Sequence, residues 1–98
     1  MGQKHKIYLS GPLFSAGEIA WGRELSSFLR ERLAEAGVQV ICPYELSMNL
    51  SEPEEIFREN LRALDSCDLM VAILDGCGVD DGTAWEIGRF FHQGKKVV

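Results

Sequence analysis

The segment Val79-Asp-Asp-Gly-Thr-Ala-Trp-Glu-Ile-Gly88 holds the side chains best suited to bond-making chemistry in this sequence. Asp75 to Gly82 reads as a Gly/Asp loop and Thr83 onward as a helix, which puts Glu86 in the first turn. Free backbone N–H groups and the helix dipole favour an ionised carboxylate there. Such an anion, aimed into a cleft, suits attack on an electrophilic carbon, as in a retaining glycosidase. Asp80 and Asp81 lie just upstream, so a second carboxyl group is at hand as acid or hydrogen-bond acceptor. Two carboxyls in unlike environments are the usual way to separate nucleophile from acid. A plainer alternative has Glu86 complementing the dipole while the aspartates cap the helix. Spacing alone leaves both open.

Other residues invite the same double reading. Tyr8 and Ser10 fall on one face of a short strand, from which the Tyr8 hydroxyl can reach a carboxylate above the sheet. A strand tyrosine is more often core. Asn60 sits inside an apolar helical stripe and needs hydrogen-bond partners, either as a tie to a loop or as part of a site. Phe14 and Trp85 can stack on a base, although packing is the default for each. Gly88, costly inside a helix, is expected to permit close helix–strand approach. Gly-Pro-Leu-Phe14 is neither a dinucleotide fingerprint nor a P-loop.

These side chains need a scaffold, and the pattern supplies one. Lys6–Ser10 is a strand stopped by Gly11-Pro12. Ser15 and Glu18 have capping-box spacing, and Trp21, Leu25, Phe28, Leu29, Leu33 and Ala36 follow at helical spacing up to Gly37. Val38–Cys42 is a second strand closed by Pro43. After a polar loop, Ser51 to Glu54 repeats the capping-box pattern, and Ile56, Phe57, Leu61 and Leu64 form a buried helical stripe. Leu69–Leu74 is apolar on both faces, as a central parallel strand must be. A helix from Thr83 to about Gln93 and a strand from Lys95 complete the pattern. The order β-α-β-α-β-α-β predicts a doubly wound α/β parallel sheet with right-handed crossovers. Ligands bind outside the carboxyl ends of such strands, which singles out the loops Gly11–Phe14, Pro43–Glu45 and Asp75–Gly82.

Composition narrows the function classes. A chain of 98 residues is one domain, and 46% apolar with 26% charged residues is a globular balance. Ten basic against fifteen acidic residues give −5, which argues against a nucleic-acid partner. The longest apolar run, six residues, is too short to cross a bilayer, and the basic residues near Met1 are not followed by a signal-peptide core. Cys42, Cys67 and Cys77 are odd in number and lack metal-site spacing; a reducing cytoplasm, buried Cys42 and Cys67, and no metal are expected. The sequence stops at Val98 within an apolar run. The expectation is therefore that the chain continues, or that another chain covers this edge.

Taken together, Lys6-Ile-Tyr-Leu-Ser-Gly-Pro-Leu-Phe14, Ile56-Phe57 with Asn60-Leu61, Cys67 to Gly76 and Val79 to Gly88 resemble the nucleoside 2-deoxyribosyltransferases. The likeness covers essentially the whole of residues 1–98, and the last motif is the specific one. It implies a flavodoxin-like fold and a double displacement without cofactor, between a nucleoside and an acceptor nucleobase. Glu86 matches the nucleophile that attacks C1′, Asp80 the aspartate that contacts or protonates the base, and Tyr8 the tyrosine that positions the nucleophile. Gly11, Phe14, Asn60, Asp75 and Gly82 are the substrate-binding residues it implies. Asn60 stands where several members carry an aspartate; an amide can hold a sugar hydroxyl but cannot take a proton. Members also continue past the fourth strand, with a C-terminal segment that completes the sheet and reaches a neighbouring subunit's site. A homo-oligomer is therefore expected.

Three further functions compete with transfer. A hydrolase of the same lineage would use water as acceptor, with a nucleoside 5′-monophosphate as a possible substrate. That substrate wants arginines near the first loop, and the nearest is Arg23. A nucleoside- or nucleotide-sensing module would bind without turnover. A purely structural interaction domain leaves the carboxylate loop unexplained.

Overall fold

The computed structural model describes residues 5–75 and 78–98. The readings of residues 1–4 and of Cys77 lie outside the described residues. Strands β1 (His5–Ser10), β2 (Val38–Ile41), β3 (Leu69–Ala72) and β4 (Lys96–Val97) form one all-parallel sheet in the order β2-β1-β3-β4. This is the doubly wound, flavodoxin-like arrangement expected. From β1 the chain steps one way to β2, then back past β1 to β3 and β4. Right-handed crossovers accordingly put α1 (Ala16–Leu33) on one face and α3 (Pro53–Ser66) with α4 (Asp81–His92) on the other. The reversal of direction between β1 and β3 is the switch point where such sheets open a ligand crevice.

Local chemistry explains most boundaries. Ser15 Oγ accepts from the Glu18 N–H, and the Glu18 carboxylate accepts from the Ser15 and Phe14 N–H groups, so the predicted capping box starts α1. These bonds hold the Glu18 carboxyl below the ordinary glutamate range, with the Ser15 N–H the main cause. After α1 a short 3-10 turn leads to Gly37, whose φ of 72° is a conformation glycine adopts without a Cβ clash. The second capping box does not form. α3 is preceded by Glu52, which makes no side-chain cap, and Pro53 starts the helix through its preset φ. Residues read as polar loop contain a further short helix, α2 (Pro43–Ser47), again begun by a proline.

The core on the α3/α4 face comprises Tyr8, Leu64, Cys67, Met70 and Phe90, with Ile41, Ala63, Ala72, Ile87 and Val97 packed around it. Cys42 and Cys67 are buried, as expected. The apolar stripes of two helices differ from expectation. α1 meets the protein through the small residues Gly22 and Ser26, while Trp21 (47%) and Phe28 (49%) stay exposed. In α3 only Leu64 is fully buried, because the first half of the helix overhangs a groove beside α4 and leaves Phe57 half exposed. Gly88 is also corrected: it is exposed, and a Cβ there would meet nothing within 4 Å.

Polar clamps join the layers. Arg30 donates to the Val40 carbonyl and to the Glu45 carboxylate, tying α1 to β2 and α2. Asp65 at the end of α3 accepts from Arg89 Nε at 2.9 Å and Nη2 at 2.8 Å, and from Gln93 Nε2 at 2.9 Å. Lys95 Nζ adds a bond to the Asp65 carbonyl. Among the described residues no helix is long and apolar enough to cross a membrane.

Candidate active site

At the carboxyl end of β1, alternation turns Tyr8 and Ser10 toward α4, and both are fully buried. Glu86 comes down from α4 to meet them. Tyr8 Oη donates to Glu86 Oε2 at 2.8 Å, and Ser10 Oγ donates to Oε1 at 2.6 Å. Each carboxylate oxygen is thus held by one neutral hydroxyl. Among the described residues Glu86 takes part in no salt bridge. Burial pushes its carboxyl above the ordinary glutamate value, the Ser10 and Tyr8 hydroxyls pull it partly back, and the Asp80 charge adds to the rise. The Tyr8 phenol is pushed up as well, by burial first and by Glu86 second, so it remains a protonated donor.

Asp80 does what the plainer alternative foresaw, and it also faces a cleft. Its Oδ2 caps α4, accepting from the Thr83 N–H at 3.0 Å and the Thr83 hydroxyl at 3.2 Å. With Glu86 it lines a cleft of about 420 Å³, a size typical of small-molecule sites. Tyr8, Gly11, Phe14, Asn60 and Gly82 line the same cleft, which draws on all three loops singled out from the topology. Phe14 is 81% exposed at its rim and so is not packed away. Gly11 permits the close approach of β1 to β3, since a Cβ there would stand 3.0 Å from Ile73 Cβ. Among the described residues the buried Oδ1 of Asn60 lacks a hydrogen-bond partner, so no tie to a loop is seen there. Such an acceptor beside a cleft calls for a ligand donor or water.

Seven of the eight expected site residues therefore converge, and Asp75 does not join them. It lies in a separate depression with Pro12, Glu18, Trp21 and Ile73. Sequence reasoning placed Ser10 on the right face without giving it a role. It singled out the Pro43–Glu45 loop without naming Tyr44 and passed over Ser47; α2 brings both to the cleft. The Arg23 guanidinium stands 5.7 Å from the Tyr44 ring centre, so one cation reaches the cleft's neighbourhood. A second, apolar groove of about 550 Å³ meets Glu86 from between α3 and α4, lined by Ile56, Phe57, Leu61 and Trp85 among others. Phe57 and Trp85 face each other there at 5.7 Å.

Comparison with known proteins bears on the fold and the family. A conserved protein from Enterococcus faecalis V583 superposes with a TM-score of 0.82 at 28% identity, over 97% of this chain and 62% of its own. The 2-deoxyribosyltransferase of Bacillus psychrosaccharolyticus gives 0.70 at 29% identity, covering 94% and 69%. A CMP N-glycosidase from Clostridium botulinum gives 0.64 at 26% identity, covering 94% and 67%. The chain thus spans about 62% of the length of the first of these relatives. The family model for nucleoside 2-deoxyribosyltransferase matches residues 7–98, and the chain belongs to that family.

Proposed function

We propose that this protein transfers 2-deoxyribose between nucleobases through a deoxyribosyl ester of Glu86. The observation that carries the reading is the Glu86 carboxylate itself: largely buried at the switch point, gripped by two neutral hydroxyls, in no salt bridge among the described residues and open to a ligand-sized cleft. One carboxylate oxygen forms a bond to C1′ as the C1′–N bond breaks. The base leaves with that electron pair and takes a proton, which Asp80, the other carboxyl group of the cleft, supplies. An acceptor base then attacks C1′, the ester C–O pair returns to Glu86, and the acceptor's proton passes back to Asp80. Two inversions give net retention. Phe14 supplies a face for the base, and Asn60 Oδ1, without a partner among the described residues, an acceptor for a sugar hydroxyl. The exposed Phe57 and Trp85 beside Glu86 support assembly of several copies.

A hydrolase acting on nucleoside 5′-monophosphates is the second reading, favoured by Arg23 beside Tyr44, a residue of the cleft, and by the N-glycosidase among the similar structures. Chromatography of the protein with 2′-deoxyinosine and free adenine separates these. Deoxyadenosine is the expected product. Hypoxanthine without deoxyadenosine, or cleavage confined to the monophosphate, favours the hydrolase. Ligand-dependent melting with no cleavage leaves a sensing module. Retained cleavage in Glu86→Ala overturns the assignment of the nucleophile.

A further inference from the structure

We propose that Ser10 is a second positioning residue for Glu86, holding Oε1 as the oxygen that stays buried and so selecting Oε2 as the oxygen that attacks. This rests on the reading of Glu86 as nucleophile. Ser10 is fully buried and closes β1, paired in register with Ala72 of β3. Its carbonyl accepts from the Ile73 N–H at 2.8 Å. With its backbone fixed in the sheet, its short side chain gives the hydroxyl little reach beyond the carboxylate. Tyr8 is equally buried but, unlike Ser10, is among the residues that line the cleft. The two hydroxyls therefore mark an inner oxygen, Oε1 at 2.6 Å from Ser10, and an outer one, Oε2 at 2.8 Å from Tyr8.

The chemistry gives the two donors different duties. When Oε2 bonds to C1′, the glycosidic pair leaves with the base, and the carboxylate's double bond localises on Oε1. Oε1 becomes an ester carbonyl and continues to accept from Ser10. Oε2 becomes the bridging oxygen, a poor acceptor, so the Tyr8 bond weakens until the acceptor base displaces the ester and the pair returns to Oε2. Ser10 thus holds the group through both half-reactions, whereas Tyr8 strengthens its hold only as the free carboxylate re-forms.

The test compares Ser10→Ala and Ser10→Thr with the parent by two readouts: kinetics of deoxyinosine–adenine exchange, and titration of the Glu86 carboxyl carbon by NMR. Ser10→Ala is expected to lower kcat about ten- to hundredfold with KM within about twofold. The Glu86 titration should move upward, since a donor to the charged form is gone. Ser10→Thr, which keeps the hydroxyl, should restore both. The other groups sharing the cleft, Tyr8 on β1, Tyr44 on α2, Asp80 on α4 and neutral Asn60 on α3, are unchanged in each variant. A folded Ser10→Ala protein whose Glu86 titration does not move overturns the proposal, as does a folded Ser10→Thr protein that behaves like Ser10→Ala. Absence of exchange in the parent would sink the transferase reading instead, and the carbon titration would still decide whether Ser10 holds Glu86.

Discussion

Helix α4 engages two carboxylates, and they are treated in opposite ways. α4 begins at Asp81 rather than Thr83, so Glu86 lies in its second turn and not in the expected first; there it is largely buried and held by two hydroxyls. Near its end Asp65 is half exposed and held by the Arg89 fork and the Gln93 amide. Both have their oxygens occupied, so hydrogen bonding alone does not distinguish them. The sign of the partners does. Arg89, with help from Gln93, pulls the Asp65 carboxyl down to about 2, so its charge is fixed and neutralised. Among the described residues Glu86 has neutral donors and a nearby anion, and burial raises it. A cation makes a carboxylate a strut, whereas hydroxyls orient it and leave its charge available for chemistry.

The sharpest way to break this contrast is to remove each charge in turn. Glu86→Gln should lower glycosidic cleavage by about a thousandfold or more. Its melting temperature should hold or rise, because no buried charge remains unpaired. Asp65→Asn should do the reverse, leaving turnover within about twofold while melting falls by a few degrees. Equal losses of activity in the two variants would show the distinction to be false. Next in size, Tyr8→Phe should slow cleavage about ten- to hundredfold and raise the acid limb of kcat/KM, having lost one donor to the carboxylate. An unmoved limb would mean that Tyr8 is only core.

The two groups should also pull stability in opposite directions with pH. Asp65 is depressed from 3.8 to about 2, so its stabilisation is complete above 3.8 and disappears as pH falls toward 2. The melting gap between the parent and Asp65→Asn should close over that interval. Glu86 is raised, so its favourable contribution belongs below the ordinary glutamate value and is lost as pH climbs through its folded pKa. Melting curves of the parent and Glu86→Gln should accordingly draw apart on that climb. Activity needs the ionised form, so its acid limb should lie above an ordinary glutamate. The smallest effect concerns the helix between the two. Gly88→Ala meets open space and should add about 0.5–1 kcal/mol to unfolding without moving either titration.

Local signals in the sequence were read well, and those that depend on how layers meet were not. The Ser15–Glu18 box, the Gly37 stop and the all-parallel order each follow from a few adjacent residues and proved correct. The box at Ser51–Glu54 had the same letters, but Pro53 set the start of α3 and left Glu52 as the preceding residue. α2, five residues long, is too short to show helical periodicity. For α1 the apolar spacing was real, yet the face that docks is the one with Gly22 and Ser26, where small side chains allow close approach. The convergence of Tyr8, Asp80 and Glu86 was legible because topology brings the strand ends and the α4 start together. The Ser10 bond was not legible, because alternation gives a face but no distance. Asp75 shares a loop region with Asp80 but lines a different depression, which loop membership alone does not reveal.

One feature of β1 bears on how this site can vary through descent. Even-numbered Tyr8 and Ser10 point to the carboxylate, while odd-numbered Ile7 and Leu9 point the opposite way. The site is therefore written in parity. Deleting a single residue within β1 would exchange the two faces, setting an aliphatic side chain under Glu86 and a phenol against α1. Lineages carrying this chemistry should tolerate length changes in their loops and gain or lose strand residues here only in pairs.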